Sequence, residues 1–403
     1  MPTESIVLRR VEDRDQRIQW NASSPLHSDL KTRTGQIRIR HGIFRGGVSE
    51  GVEVVRLTNE KLSVDVLPTR GMSLWRLNCG GARYGWLSPV AGPVHPAFVP
   101  LSEPSGLGWL SGFDELVVRC GLESNGAPEH DASGQLLYPL HGHIGNTPAD
   151  SLAIEYDEAS GRVDLVGEVI ESRMFFKRFR MRSRIRLHAD RQEVELLDDV
   201  TNELEHAATM QMLYHVNLGP PVLSPTAKLV TAVEEVCPRD PHAAEDLDRW
   251  KEFDPPTVGY RERVYFAKPL TDESGYGHAM LIHGEGGSAG TDESPAAMAV
   301  SFKTATLPYL VLWKNTAAQA DGYVVGIEPA TGFPNPRGFE AEQGRLVELA
   351  GGETKSFRMR LRPLDTPEAI DSMRHTIESL SQAEGDCQLH RQPVLTWSPA
   401  ADG

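Results

Sequence analysis

The sequence predicts an all-β protein made of antiparallel sheets packed face to face. The first observation is a period of two: apolar and polar residues alternate over residues 62–66, 179–187 and 357–361, as in strands with one buried face. The second is the scarcity of helical patterns between such runs, since a βαβ fold needs a helix between most strands. The third is the supply of turn residues, 37 glycines and 28 prolines, which separate the runs.

The same pattern extends along the chain. Further strands are predicted at residues 36–40, 53–58, 152–156, 162–170, 193–201, 208–217, 297–303, 308–314, 322–328 and 346–350. These short strands, separated by turn residues, are typical of packed antiparallel sheets.

A C-terminal helix is predicted over residues 367–383. Thr366 suits the N-cap and Pro367 the first helical position. An apolar stripe follows, made of Ile370, Met373, Ile377 and Leu380. We expect this helix to brace a sheet edge.

No strong domain boundary is visible, so we expect a single domain over residues 1–403. Its core covers roughly residues 35–365. The tail, residues 387–403, is expected to be poorly ordered. The acidic patch at residues 241–253 is expected to be a solvated helical excursion.

Charge and composition exclude several functions. The net charge is −15 and the sequence pI about 5.4, which argues against nucleic acid and an anionic membrane surface as partners.

No stretch reaches the roughly 20 apolar residues that span a bilayer, and residues 1–20 lack the apolar region of a signal peptide. The four cysteines are scattered without metal-type spacing, so we expect a cytoplasmic protein without disulfides. The sequence specifies no oligomeric state.

Two histidines stand two positions apart in the segment LHGHIGN. His141 and His143 would share one face of a strand, and the flanking glycines would let a ligand approach. Binding of sugar hydroxyls or ligation of a metal is one interpretation. Two incidental loop histidines are the other.

A third histidine lies near the end of a predicted strand. His215 has the same parity as Gln211 and Asn217 and precedes the segment GPP. Polar groups at such a strand end suit the rim of a cleft. The alternative is an interface histidine bonded to a backbone carbonyl.

Glu328 ends an apolar strand, residues 323–327, and is followed at once by proline. A partly desolvated carboxylate in this position can have its pKa raised into the range of a general base. A surface turn glutamate is the alternative, although the following segment, PATGFPNPR, is more elaborate than a plain hairpin.

The segment 106–122 offers aromatic and acidic groups. Trp109 can stack on the apolar face of a sugar ring, and Asp114 can accept hydrogen bonds from hydroxyls. A core aromatic cluster in a long loop is the alternative. Arg70 and Lys314 are further substrate-binding candidates.

Taken together, these motifs resemble the aldose 1-epimerase, or galactose mutarotase-like, superfamily, and more narrowly a branch known only as a domain of unknown function. The resemblance covers roughly residues 35–365 and implies an antiparallel β-supersandwich with its active site in a groove on a large sheet. Leu140-His141-Gly142 matches the family's Leu-His-Gly element, whose histidine binds substrate hydroxyls. Glu328 matches the family's general base, with Pro334 and Asn335 downstream.

The second family histidine, the general acid, precedes an Asn-Leu-Gly element, here residues 217–219. In the family it stands about two positions earlier, where this sequence has Leu213. His215 therefore keeps the strand face but lies roughly 7 Å further along it. The family's usual aspartate contact has no clear counterpart, and Asp114 is assigned from local chemistry alone.

The resemblance implies a cofactor-free mutarotase that acts on a small-molecule sugar. Glu328 would deprotonate the anomeric hydroxyl while His215 protonates the ring oxygen. The predicted substrate-binding residues are His141, His143, Arg70, Asp114, Trp109, Asn217 and Lys314.

Two alternatives stay open. In the first, His141, His143, His215 and Glu328 hold a divalent metal in a lyase or isomerase acting on a modified sugar. In the second, the chain is a non-catalytic sugar-binding module.

Overall fold

The structure, a computed structural model, describes residues 14–284 and 297–402. Of the N-terminal segment predicted to lack a signal peptide, residues 1–13 lie outside the described residues. Among the helices of the described part, none is both long enough and apolar enough to cross a membrane.

Strands dominate the described chain. In chain order they are β1 (Ile18–Trp20), β2 (Ser28–Thr32), β3 (Gly35–Phe44), β4 (Glu53–Thr58), β5 (Leu62–Leu67), β6 (Ser73–Cys79), β7 (Ala82–Tyr84), β8 (Val117–Leu122), β9 (Glu129–His130), β10 (Leu136–Tyr138), β11 (Ser151–Asp157), β12 (Arg162–Arg173), β13 (Lys177–His188), β14 (Val194–Asn202), β15 (Ala208–Leu218), β16 (Lys228–Thr231), β17 (Val233–Pro238), β18 (Arg263–Pro269), β19 (Tyr276–Ile282), β20 (Ala297–Lys303), β21 (Tyr309–Asn315), β22 (Val324–Ala330), β23 (Val347–Leu349), β24 (Thr354–Leu364) and β25 (Gln388–Leu389).

Helices are short except for the last. The α-helices are α1 (Pro241–Ala244), α2 (Gln319–Gly322), α3 (Arg337–Glu342) and α4 (Pro367–Glu384). Single 3-10 turns cover Arg14–Arg17, Gly47–Ser49, Pro68–Arg70, Pro96–Phe98, Gly108–Gly112, Ile144–Asn146, Leu247–Arg249 and Pro399–Asp402.

Two large sheets form the body of the fold. The first runs β1-β3-β4-β5-β6-β8-β15-β22-β21-β18-β17-β25, with β2, β7 and β23 paired at its sides. The second runs β11-β12-β13-β14-β24-β20-β19-β16, and β9 with β10 forms a separate hairpin. The all-β sandwich predicted from the sequence is therefore confirmed.

The main core lies between these sheets. It combines, for example, Val64 and Ile327 of the first sheet with Ile185 and Met359 of the second. In β13 the apolar side chains are buried and the intervening arginines are partly exposed, as the period of two predicts. Those arginines pair with carboxylates on neighbouring strands, including Arg186 with Asp164 at 2.7 Å.

Helix α4 matches the prediction closely. Thr366 accepts a hydrogen bond from the backbone N–H of Ala369, and the buried residues Ile370, Met373 and Ile377 pack in one cluster with residues of β19 and β20. The helix therefore covers the outer face of the second sheet at that edge.

Two expectations, one about the C-terminal tail and one about residues 241–253, were wrong. The tail is not detached: β25 pairs in parallel with β17, and Trp397, 8% exposed, packs against Phe333 at a ring-centroid distance of 4.9 Å. The segment 241–253 is not merely solvated, since it buries apolar side chains, Trp250 and Phe253 among them, in the main core. The single-domain assignment over residues 1–403 stays a prediction.

Candidate active site

The central strands of the first sheet bring two predicted catalytic residues together. Strands β15 and β22 pair antiparallel, with Leu213 opposite Ala330 and Val216 opposite Ile327. This register sets His215 directly opposite Glu328, on the same face of the sheet. His215 Nε2 lies 3.1 Å from Glu328 Oε1. Both residues are buried, at 4% and 2% exposure.

Asn217 determines which nitrogen of His215 carries the proton. Its Nδ2 donates to the backbone oxygens of Glu115 (2.9 Å) and His215 (3.2 Å), which leaves Oδ1 as an acceptor 2.6 Å from His215 Nδ1. The proton of a neutral imidazole therefore resides on Nδ1. Nε2 therefore carries the lone pair and lies close to Glu328 Oε1, although the two atoms are not in hydrogen-bonding geometry.

Burial shifts both pKa values of this pair toward the neutral forms. It raises the pKa of Glu328 well above its usual value, and the carboxylate of Glu262 adds to the effect. It lowers the pKa of His215 well below its usual value, with a contribution from His141. These directions leave one proton on the Glu328 carboxyl and none on Nε2 of His215.

Aromatic rings enclose the pair. Measured from the His215 ring, the centroids of Phe113, Trp313, His141 and Trp109 lie at 5.1, 5.4, 5.5 and 6.3 Å. His141 and Trp313 are the partly exposed members of this group. Burial among these rings lowers the local dielectric constant, which strengthens electrostatic interactions within the site.

His141 reaches the pair from a turn. Its Nδ1 lies 2.8 Å from the backbone oxygen of Asn125, so in the neutral ring Nδ1 carries the proton and Nε2 is free to accept. Its φ of 57° is left-handed, a conformation that non-glycine residues adopt mainly where a site requires it. Burial lowers the pKa of His141 to about 4, so the ring is neutral at physiological pH.

Gly326 leaves the space that the pair occupies. A Cβ atom at this position would lie 2.4 Å from Glu328 Oε1 and 2.9 Å from His215 Cε1. Any side chain here would force the carboxyl and the imidazole apart.

His143 does not join this group, and the prediction that it shares a strand face with His141 was wrong. The segment is a turn rather than a strand, because two glycines and a left-handed His141 reverse the chain. His143 lines a separate cavity of about 400 Å³ with Glu171 and Lys177 among its other residues. Burial lowers the pKa of His143.

Arg70 and Asp114 are held by internal partners. Arg70 is fully buried and pairs with Glu115, and it also donates to the backbone oxygen of Gly112 at 2.9 Å. Asp114 pairs with Arg14 at 2.7 Å, and burial raises the pKa of Asp114 to about 6. Both side chains link the long loop that contains Gly112 and Asp114 to the rest of the fold. Their contacts therefore do not support direct binding of a sugar by Arg70 or Asp114.

The prediction of substrate contact by Lys314 needs correction. Trp313 points toward His215, so its neighbour Lys314 points to the opposite face of the sheet. There Lys314 is 1% exposed and donates to Asp246 and to the backbone oxygen of Arg249, each at 3.1 Å.

Asn217 and Trp109 do lie at the site, but as buried supporting residues. Asn217 orients His215. Trp109 is 1% exposed, as the alternative of a core aromatic cluster predicts.

The four residues of the metal alternative are not assembled. Within residues 14–284 and 297–402, no group of three or more histidine, cysteine, aspartate or glutamate side chains is arranged to hold a metal ion. His143 lines a different cavity, whereas His141, His215 and Glu328 lie close to one another. All four cysteines of the chain are unpaired thiols.

Sequence reasoning missed several residues of the site. Gly326 contacts the pair, and the side chains of Gln211 and Asn125 are buried in the same part of the fold. Of these three residues, Gln211 alone had a sequence signal, its shared parity with His215.

The fold is that of the galactose mutarotase-like class of proteins. The chain matches the family model "Domain of unknown function (DUF4432)" over residues 49–362, and it belongs to that family. A search of curated proteins found no match.

Solved structures agree with this assignment. A Klebsiella pneumoniae protein described as a "putative aldose 1-epimerase" is 31% identical, with a TM-score of 0.83 over 90% of this chain and 92% of that one. A galactose mutarotase-like protein from Clostridium acetobutylicum is 13% identical, with a TM-score of 0.54 over 83% of this chain and 100% of that one. Galactose 1-epimerase from Lactobacillus acidophilus is 12% identical, with a TM-score of 0.51 over 82% and 99%. The last two show the fold alone.

Proposed function

We propose that this protein is a sugar mutarotase that interconverts the anomers of a free aldose by acid–base catalysis. Glu328 is the base at the anomeric hydroxyl, and His215 is the acid at the ring oxygen. The reaction requires no organic cofactor or metal. The reduced cysteines and the acidic charge are consistent with a cytoplasmic protein.

The proton count supports this proposal. Transfer of the Glu328 proton to Nε2 of His215 gives a carboxylate beside an imidazolium. The carboxylate takes the proton of the anomeric hydroxyl as C1=O1 forms, while Nε2–H protonates O5 as the C1–O5 bond breaks. The pair is then neutral again, and the open-chain aldehyde rotates about C1–C2. Closure on the other face reverses both transfers, so no proton is exchanged with solvent.

The observation that carries the proposal is the 3.1 Å contact between His215 Nε2 and Glu328 Oε1. The two oxygens that exchange protons in ring opening are bonded to the same carbon. A contacting acid–base pair is matched to such closely spaced atoms, provided that the sugar enters beside it. Because the pair is buried, entry requires displacement of the partly exposed side chains of His141 and Trp313.

The test is anomer exchange in freshly dissolved aldoses, followed by proton NMR or polarimetry. We expect wild-type protein to accelerate exchange, and Glu328→Gln and His215→Gln each to lose about 10²- to 10⁴-fold. Glu348→Gln removes an exposed carboxylate elsewhere and should retain full activity. Wild-type protein that binds aldoses without accelerating exchange would instead be a sugar-binding module.

A second measurement addresses the metal alternative. Metal content is determined before and after dialysis against a chelator, with exchange rates recorded in parallel. We expect the rate to be unchanged by the chelator. A stoichiometric ion whose removal abolishes turnover would refute the metal-free mechanism.

A further inference from the structure

We infer that Gln211 and Asn125 bind the hydroxyl groups of the substrate and that this substrate is a neutral sugar. The inference rests on the sugar-binding function proposed above and names side chains that would recognise the sugar away from the reacting C1 atom.

Both amides are fully buried and lack protein partners. Gln211 and Asn125 are each 0% exposed, and neither the amide nitrogen nor the amide oxygen of either side chain has a hydrogen-bond partner. Among the buried amide side chains of the described residues, these are the two with both polar atoms unpaired. Buried polar groups are nearly always paired, because an unpaired one destabilises the fold.

Asn202 is a buried amide with a structural role and serves as a comparison. It is also 0% exposed, but its Nδ2 donates to the backbone oxygens of His206 and Leu349 at 2.8 and 3.0 Å. Its Oδ1 accepts from the backbone N–H of Leu204 at 3.0 Å. Gln211 and Asn125 therefore differ from an ordinary structural amide of the same chain.

The chain path places both amides on the His141 side of the His215–Glu328 pair. Gln211 lies on β15 with the same parity as His215, so the two side chains project from the same sheet face, roughly 13 Å apart along the strand with Leu213 between them. Its partner across the ladder is Leu122, three residues before Asn125. The backbone oxygen of Asn125 is the group that holds Nδ1 of His141. Both amides thus adjoin the end of the site where His141 stands.

Trp109 adds one more unpaired donor in this region. Its ring centroid is 4.6 Å from that of His141, and its buried Nε1–H has no partner. Two amides and one indole N–H offer three donor groups and two acceptor oxygens. A sugar hydroxyl both donates and accepts, so it matches an amide in a way that an apolar ligand does not.

The nearby cations favour a neutral ligand. The guanidinium groups of Arg70 and Arg119, both fully buried, are each paired with a carboxylate, Glu115 and Asp198 respectively. Arg337 near the start of β15 donates to the backbone oxygens of Glu123 and Thr209 and to Thr209 Oγ1. These cations already have oxygen partners within the chain, whereas the unpaired groups are uncharged.

The experiment compares two near-isosteric variants with a matched control. Gln211→Met and Asn125→Leu remove the unpaired amides, and Asn202→Leu removes the paired one. Thermal unfolding is measured without sugar, and affinity is measured by NMR titration with neutral aldoses, uronic acids and aldose 6-phosphates. We expect the two site variants to keep or raise the melting temperature and to weaken aldose binding at least tenfold. Asn202→Leu should lower the melting temperature and keep the affinity.

Several outcomes would overturn the inference. If the site variants lower the melting temperature as Asn202→Leu does and bind aldoses normally, the amides serve the fold through internal water. Wild-type protein that binds only uronic acids or sugar phosphates would refute the neutral class.

The same measurements distinguish a failure of this inference from a failure of the mutarotase proposal. If wild-type protein binds aldoses without anomer exchange, and the site variants lose that binding, recognition by Gln211 and Asn125 stands while mutarotation falls. If wild-type protein turns over aldoses and the variants keep KM, only this inference falls. Both proposals are supported if the site variants raise KM by a larger factor than they lower kcat.

Discussion

His215 Nε2 lies 3.1 Å from Glu328 Oε1, while Asn217 Oδ1 holds the opposite imidazole nitrogen at 2.6 Å. The three side chains form one line of proton-bearing groups across neighbouring strands. Since Nδ1 keeps its proton, all acid–base change in the pair occurs between Nε2 and the carboxyl. The pair then titrates as a unit, with two apparent pKa values that belong to both residues.

This coupling predicts the pH dependence of kcat/KM. The active pair has one proton. A second proton is added to His215 on the acid side, where its pKa is lowered, and the last proton leaves Glu328 on the alkaline side, where its pKa is raised. We expect kcat/KM to hold steady through neutral pH and to fall at both extremes, as measured by anomer exchange from about pH 4 to 10. A profile that peaks between the ordinary glutamate and histidine pKa values would contradict the pairing.

Glu328→Gln should stabilise the protein while it removes activity. The carboxyl stays protonated when folded, because its pKa is raised, but it ionises above about pH 4.5 when unfolded. Wild-type stability is therefore lost as pH rises from that value toward the folded pKa, by about 1.4 kcal/mol for each pH unit in that interval. The glutamine variant should show no advantage in melting temperature near pH 4.5 and an advantage that grows as the pH rises toward the folded pKa of Glu328.

The control for that measurement is Glu348→Gln. This exposed carboxylate should show no such pH-dependent gain. Equal stability of wild type and Glu328→Gln across the range would mean that the carboxyl is ionised in the folded protein.

Asn217→Asp should change the proton affinity of His215. The aspartate keeps an acceptor oxygen for Nδ1–H and adds a negative charge, which favours the imidazolium and raises the pKa of His215. The acid limb of kcat/KM should then move to higher pH, and kcat should fall because the imidazolium is a weaker acid. KM should change little, since Asn217 supports His215 and does not contact the sugar. An unchanged acid limb would show that Asn217 does not set this tautomer.

Lys314→Met should affect stability and spare sugar binding. Lys314 lies on the core side of the sheet with Asp246, so its loss leaves a largely buried carboxylate without its 3.1 Å partner. We expect about 2 kcal/mol lower free energy of unfolding in urea. Aldose affinity and kcat of the folded variant should match wild type. A selective rise in KM would restore the original prediction of substrate contact.

The sequence predicted those features that depend on local alternation. The period of two located strands such as β13 and β24, and the cap at Thr366 located α4. The shared parity of His215 and Asn217 was visible in the same way. Their closeness to Glu328 was not, because it depends on the register between β15 and β22, which single-strand patterns do not contain.

The errors concern nonlocal partners and backbone direction. Arg70 and Lys314 looked like free cations until the fold brought Glu115 and Asp246 to them. His141 and His143 were separated by a left-handed turn that a strand pattern cannot show. The tail was misjudged because Trp397 is buried by residues far away in the sequence.

Gly326→Ala should separate the pair without touching either of its members. The new methyl group would lie 2.4 Å from Glu328 Oε1 and 2.9 Å from His215 Cε1, so one side chain must rotate away and the acid and the base are separated. We expect kcat to fall at least tenfold in the anomer-exchange assay. Gly277→Ala is the matched control. Gly277 also lies in a strand, β19 of the second sheet, and its Cβ would lie 3.0 Å from Thr304 Cγ2. Equal activity of both variants, with normal folding, would show that the contact between His215 and Glu328 is not required for turnover.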